Sequence, residues 1–125
     1  MSVSKMTYFF DTYAIIELIG GSSSYKKFEE FRIVTSVLNI GEIYAIFLRN
    51  DGKGRADKWF EDCSFDLLEF TPDDIVKATY FRYINRQKNI SITDSVGYVL
   101  SLKHKLEFLT GDRQFQNMPN VEFVK

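Results

Sequence analysis

What most restricts the fold of this chain is an alternation. Short stretches of β-prone, largely aromatic and aliphatic residues take turns with longer stretches whose apolar residues recur at helical spacing. Residues 7–10, 33–34, 65–70, 108–110 and 121–124 read as strands. Between them, residues 12–19, 25–31, 35–49, 53–63, 72–86 and 91–104 read as helices. The punctuation agrees with these bounds. Gly20-Gly21 stops the first helix, and the serines at 22 to 24 are placed to cap the next. Thr35 or Ser36 caps the third, Asn50-Asp51-Gly52 breaks it, and Thr71-Pro72-Asp73-Asp74 supplies a cap, a first-turn proline and two acids at a positive helix end. Strands alternating with helices call for a parallel sheet covered on both faces. The expected architecture is a three-layer α/β/α sandwich around a five-stranded, mainly parallel sheet, with residues 1–125 as one domain.

Composition narrows the class. At 125 residues and 45% hydrophobic content the chain can bury a core, which excludes a disordered protein. No apolar run reaches the length of a membrane span, and residues 1–5 do not open a secretory signal. A lone Cys63 rules out an internal disulfide framework and suits a reducing compartment, so a cytoplasmic location is expected. Sixteen basic against seventeen acidic residues give a formal charge of −1, without the basic excess usual in nucleic-acid binders. Four of those acids, however, stand in places where charge is unusual.

Asp11 follows the strand Tyr8-Phe9-Phe10, and Asp112 follows the strand Phe108-Leu109-Thr110 by one glycine. A carboxylate after a strand can cap the next helix or sit in a turn; it can also serve a ligand site, since open α/β sheets bind ligands beyond the carboxyl ends of their strands. Glu42 lies mid-helix with Leu38 and Ile46 four residues to either side and no Lys or Arg at three or four residues' distance. A solvated helix edge is one reading of it; a compensated inward position is the other. In Ser91-Ile92-Thr93-Asp94, Asp94 completes the pattern of a capping box, again beside a strand end. Together the four acids make a plausible cage for a hard divalent cation, Mg²⁺ or Mn²⁺, bound through oxygen. Such a site supports metal-assisted phosphodiester hydrolysis. Alternatives have little to build on. There is no P-loop, no G-x-G-x-x-G and no C-x-x-C, and the single histidine, His104, stands between two lysines at a helix end.

Three segments, FFDTYAIIEL, VTSVLNIGEIYAIFLR and ISITDSVGYVLSLKHKLEFLTGDRQF, taken in order and spacing resemble the PIN-domain ribonucleases, specifically the VapC-type toxins of toxin–antitoxin pairs. The resemblance places that family's acids on Asp11, Glu42, Asp94 and Asp112, and its supporting hydroxyls on Thr12 and Thr110. It implies an RNA substrate, homodimerisation and a small antitoxin partner. Two departures stand out: Gln114 occupies a position where many relatives carry a further Asp, and Tyr13 replaces a small residue. Basic side chains are then expected to meet RNA phosphates. The candidates are Lys53, Arg55 and Lys58 on one helix, Arg82, Arg86 and Lys88 on another, and above all Arg113 beside Asp112. Ile15, Ile16, Leu18 and Ile19, with Phe28 and Phe31, are expected to offer part of a groove to an antitoxin helix. Two other readings keep the same fold: an RNA- or protein-binding module that does not cut, and a nuclease of RNA processing or DNA repair without an antitoxin.

Overall fold

The structure is a computed structural model that describes residues 7–125; residues 1–5, read above for a signal, lie outside them. Strand β1 (Tyr8–Phe10) leads directly into helix α1 (Thr12–Ile19), followed by a 3-10 segment, Ser23–Glu30. Strand β2 (Val34–Thr35) precedes helices α2 (Val37–Asp51) and α3 (Lys53–Asp62), and β3 (Asp66–Leu67) precedes α4 (Pro72–Ile84) and α5 (Ile92–Lys103). Strand β4 (Glu107–Thr110), a 3-10 turn at Arg113–Phe115 and β5 (Val121–Phe123) complete the fold. The five strands pair in the order β3-β2-β1-β4-β5, and every pairing is parallel.

The period-two alternation of strand side chains assigns the two faces. Phe9 on β1 sits opposite Phe108 on β4, and Phe10 sits opposite Leu109. Phe9 and Phe108 face one way, stacked at 5.9 Å, into a core with Ala78, Val96 and Leu100 from α4 and α5. Phe10 and Leu109 face the other way, into a core built with Ala14 and Ile15 of α1, Tyr25 and Phe28 of the 3-10 segment, and Ile43, Phe47 and Ala56 of α2 and α3. All four strand residues are fully buried, and each such side chain stabilises the fold by about 1.5–3 kcal/mol. Gly97 lets α5 lie close on the sheet: a Cβ there would stand 2.7 Å from the Phe9 ring and 3.0 Å from that of Phe108.

Some expected elements contract. The strand read at 65–70 is only Asp66–Leu67, because its partner β2 offers only Val34 and Thr35 for pairing. The small helix read at 25–31 is the 3-10 segment, and the serine before it makes no side-chain cap. The apolar set expected to offer part of a groove divides between core and surface. Ile15 and Phe28 are buried, while Ile16, Leu18 and Phe31 are half-buried against the same cluster, with Tyr8 edge-on to Phe28 and Phe31. Ile19 is the member left exposed. Among the described residues, no helix is long and apolar enough to cross a membrane.

Candidate active site

Strand order determines where a site can form. From β1 the chain runs outward on one side to β2 and β3, then crosses to β4 on the other side. The crevice between the carboxyl ends of β1 and β4 is therefore a topological switch point. Asp11 stands at the end of β1 and Asp112 two residues past β4. The first turn of α5 brings Asp94 to the same rim, and the second turn of α2 brings Glu42. All four acids line one cavity of about 350 Å³, with Thr12, Tyr13, Gly111, Arg113 and Lys125.

Each acid is held differently. Asp11 is buried and caps α1, its carboxylate accepting the Ala14 N–H at 2.8 Å. The cap and the site are the same carboxylate. Glu42 is half-buried, and its Oε1 accepts the Thr12 hydroxyl at 2.6 Å. That hydroxyl in turn accepts from the Asn39 amide at 3.1 Å, and the Asn39 carbonyl oxygen accepts from the Ser36 hydroxyl at 2.7 Å. A chain of three hydrogen bonds thus runs from the interior, where Ser36 and Asn39 are fully buried, out to Glu42. Of the two readings of Glu42, the structure gives one in between: the side chain is half-buried and held by a hydroxyl rather than by a charge. In the capping box read at 91–94, the Ser91 hydroxyl accepts the Asp94 N–H at 3.0 Å but the Asp94 carboxylate does not return the bond. That carboxylate is left to the cavity. Asp112 caps the 3-10 turn, accepting the Gln114 N–H at 3.0 Å, while its own N–H is held by the buried Thr110 hydroxyl at 3.0 Å.

The electrostatics follow from this crowding. Burial raises the Asp11 carboxyl well above its ordinary value, the charge of Asp94 adds to the rise, and the Thr110 hydroxyl and Ala14 N–H partly oppose it. Asp94 is raised from 3.8 to about 7, first by burial and then by the charges of Glu42 and Asp112. Asp11 caps α1 and Asp94 stands in the first turn of α5, where the helix dipoles favour negative charge. Two of the acids nonetheless stay under-compensated.

A hard cation fits that deficit, because every donor is a carboxylate or hydroxyl oxygen. The fit has a limit. Among the described residues, no three His, Cys, Asp or Glu side chains stand close enough to enclose an ion by themselves. The arrangement suits a cation held by one or two carboxylates, with water and substrate oxygens in its remaining positions, as Mg²⁺ prefers.

Of the basic candidates, Arg113 lines the cavity and is exposed. Lys53, Arg55 and Lys58 do not approach it. The two lysines pair with Asp57 and Asp62 one helical turn away, and Arg55 lies over the Phe47 ring at 5.6 Å. Tyr13 packs directly over Gly111, where any Cβ would collide with its ring and with the Val124 carbonyl. Gln114, at the variant position, points away from the acids: its side-chain oxygen accepts the Asn89 N–H at 3.3 Å. Sequence reasoning missed Asn39 and Lys125 and read Ser36 only as a cap, whereas its hydroxyl makes no cap bond and goes to the Asn39 side chain. Asn39 had a signal, a polar residue one helical turn before Glu42; Lys125, whose ammonium lies 5.9 Å from the Tyr13 ring centre, had none.

A parallel α/β sheet whose switch point gathers four carboxylates around one cavity defines an acidic-site α/β protein. The sequence profile described as "PIN domain" matches residues 8–121, and the chain belongs to the PIN-domain family. Solved structures share the fold. VapC20 of Mycobacterium tuberculosis, described as a sarcin-ricin-loop-cleaving toxin, superposes with a TM-score of 0.76 at 17% identity, over 95% of this chain and all of that one (100%). A toxin–antitoxin complex from Klebsiella pneumoniae gives 0.71 at 18% identity, covering 93% and 95% of the two chains. VapBC2 of Rickettsia felis, solved with promoter DNA, gives 0.71 at 14%, covering 96% and 100%. No curated protein matches the sequence.

Proposed function

We propose that this chain, residues 1–125 as a single domain, is a metal-dependent endoribonuclease and the toxin member of a VapBC-type pair. The observation that carries the reading is the four-acid cavity at the switch point of a PIN fold. Asp11 and Asp94 are the principal ligands of Mg²⁺ or Mn²⁺; Glu42 and Asp112 complete its surroundings directly or through water. When bound, the cation supplies an activated water and stabilises charge on the departing oxygen. The chain's own groups do the positioning. Thr12 fixes the Glu42 carboxylate through the hydrogen bond to Oε1, and Thr110 fixes the backbone that carries Asp112. Arg113 is placed at the cavity edge to pair with an RNA phosphate. A small antitoxin, a homodimeric state and a cytoplasmic location go with this reading.

Cleavage of structured and unstructured RNAs with Mg²⁺, Mn²⁺ or EDTA tests it. Cleavage is expected with metal and none with EDTA, and Asp11→Asn should lose activity. Undiminished cleavage by that variant, or activity that survives EDTA, would overturn the reading.

A further inference from the structure

On the same rim as the acidic cavity lies a second one, of about 460 Å³, lined by basic and aromatic side chains. It occupies the end of α4 and the loop that leads into α5, so it opens beside the helix that delivers Asp94. Arg82, Arg86 and Lys88 line it, with Tyr83 and Asn89, and no acid lines it. Arg82 holds the loop in place, its Nε donating to the Ile90 carbonyl at 2.7 Å. Arg86 lies 4.5 Å from the centre of the Tyr83 ring, which is 59% exposed. A solvent-facing ring with a cation against it, flanked by further positive charge, has the two components that recognise single-stranded nucleic acid. One is a π surface for a base; the other is positive charge along the backbone.

The two cavities are mechanically joined. Asp112 and Arg113 line the first, and the next residue, Gln114, grips the loop of the second. Its side-chain oxygen accepts the Asn89 N–H, and its backbone carbonyl accepts the Lys88 ammonium at 3.2 Å. The Gln114 side chain thus tethers a basic loop to the acidic site.

We infer that the α4–α5 loop is the docking site for a single-stranded stretch of the RNA substrate, with Tyr83 stacking a base and Arg86 and Lys88 holding phosphates. The inference rests on the ribonuclease reading and adds to it the place where the strand docks. Arg113 continues the cationic track into the acidic cavity.

Fluorescence anisotropy in EDTA, with a labelled single-stranded RNA of about 12 nucleotides and its duplex, tests the site without cleavage. Tyr83→Ala should weaken single-strand binding roughly five- to a hundredfold, and Tyr83→Phe should restore it, since stacking needs the ring and not the hydroxyl. Arg86→Ala with Lys88→Ala should flatten the salt dependence of log K by about 1.4, roughly 0.7 for each lost phosphate contact. The double variant Lys26→Ala/Lys27→Ala removes the same charge from the opposite face of the sheet and should leave the slope unchanged. If the parent binds and cleaves RNA while the Tyr83 and Arg86/Lys88 variants match it, this site is wrong and the ribonuclease reading stands. Equal affinity for the duplex would also overturn it. If the parent neither binds nor cleaves any RNA, both fall together.

Discussion

Replacing Asp94 with Asn separates a ligand carboxylate from a structural one, because the two roles predict opposite changes in stability. In the folded protein this carboxyl titrates near 7 rather than 3.8, owing first to burial and then to Glu42 and Asp112. An acid whose folded-state pKa is raised keeps its proton longer in the native chain than in the unfolded one. Between 3.8 and about 7 the folded state therefore binds more protons, and stability falls as pH rises through that window, then levels off above it. At roughly 1.4 kcal/mol per pH unit the full shift is worth on the order of 4 kcal/mol. That is a ceiling, since water entry and side-chain movement relax the burial. Asn is neutral throughout, and the Ser91 cap survives because it is made by the backbone N–H at 94. Without metal, Asp94→Asn should match the parent near pH 4 to within about 0.5 kcal/mol, and exceed it by about 1–3 kcal/mol near pH 8. Urea unfolding in EDTA across this range measures the difference; in thermal melts 1 kcal/mol corresponds to about 3–5 °C for a chain of this size. A gap that does not widen with pH refutes the argument. So does a variant about 1 kcal/mol less stable at every pH, which would make Asp94 a helix cap.

Millimolar Mg²⁺ or Mn²⁺ should raise the parent's melting temperature, by the equivalent of about 2.7 kcal/mol at a hundredfold excess over Kd, and should do less for Asp94→Asn; equal shifts would place the ion elsewhere. Asn39→Leu strands the buried Ser36 hydroxyl and frees the Thr12 hydroxyl, and should cost about 1–3 kcal/mol in chemical denaturation, whereas unchanged stability would show that the relay is replaceable. Gly97→Ala drives a methyl into the rings of Phe9 and Phe108 and should destabilise by about 1–3 kcal/mol, a result that a neutral melting curve would contradict.

Much of this architecture was legible because local signals and global topology agree. Alternating strands and helices, the proline and acids opening α4, and the glycines after α1 each lie where the structure uses them. The carboxylates of Asp11, Asp94 and Asp112 could be seen because each follows a strand or opens a helix, positions fixed by the sequence around them. The environment of Glu42 could not be seen. Its hydrogen-bond donor, Thr12, lies thirty residues earlier, and only the packing of α1 on α2 brings them together. The division of α1's apolar residues between core and surface was hidden for the same reason: Tyr8, Phe28 and Phe31 pack beside it from other segments. Charge on α3 was ambiguous until the partners at i+4 appeared, and at such exposed pairs the side chains are largely satisfied with one another and with water.

The central position of β1 has a consequence for how the protein comes into being. The first strand made is flanked by the second and by the fourth, and Tyr8 cannot meet Glu107 until nearly the whole chain has been synthesised. Closing so long a loop comes late, because its entropy must be overcome before the contacts that reward it can form. Until then Asp11 has no β4 beside it, Asp112 is absent, and the crevice between the two strands does not exist. A growing chain that acquires its structure from the amino end onward therefore holds its four acids apart in time as well as in sequence. The four-acid cavity cannot close before residues 107–112 have been made and β4 has paired with β1.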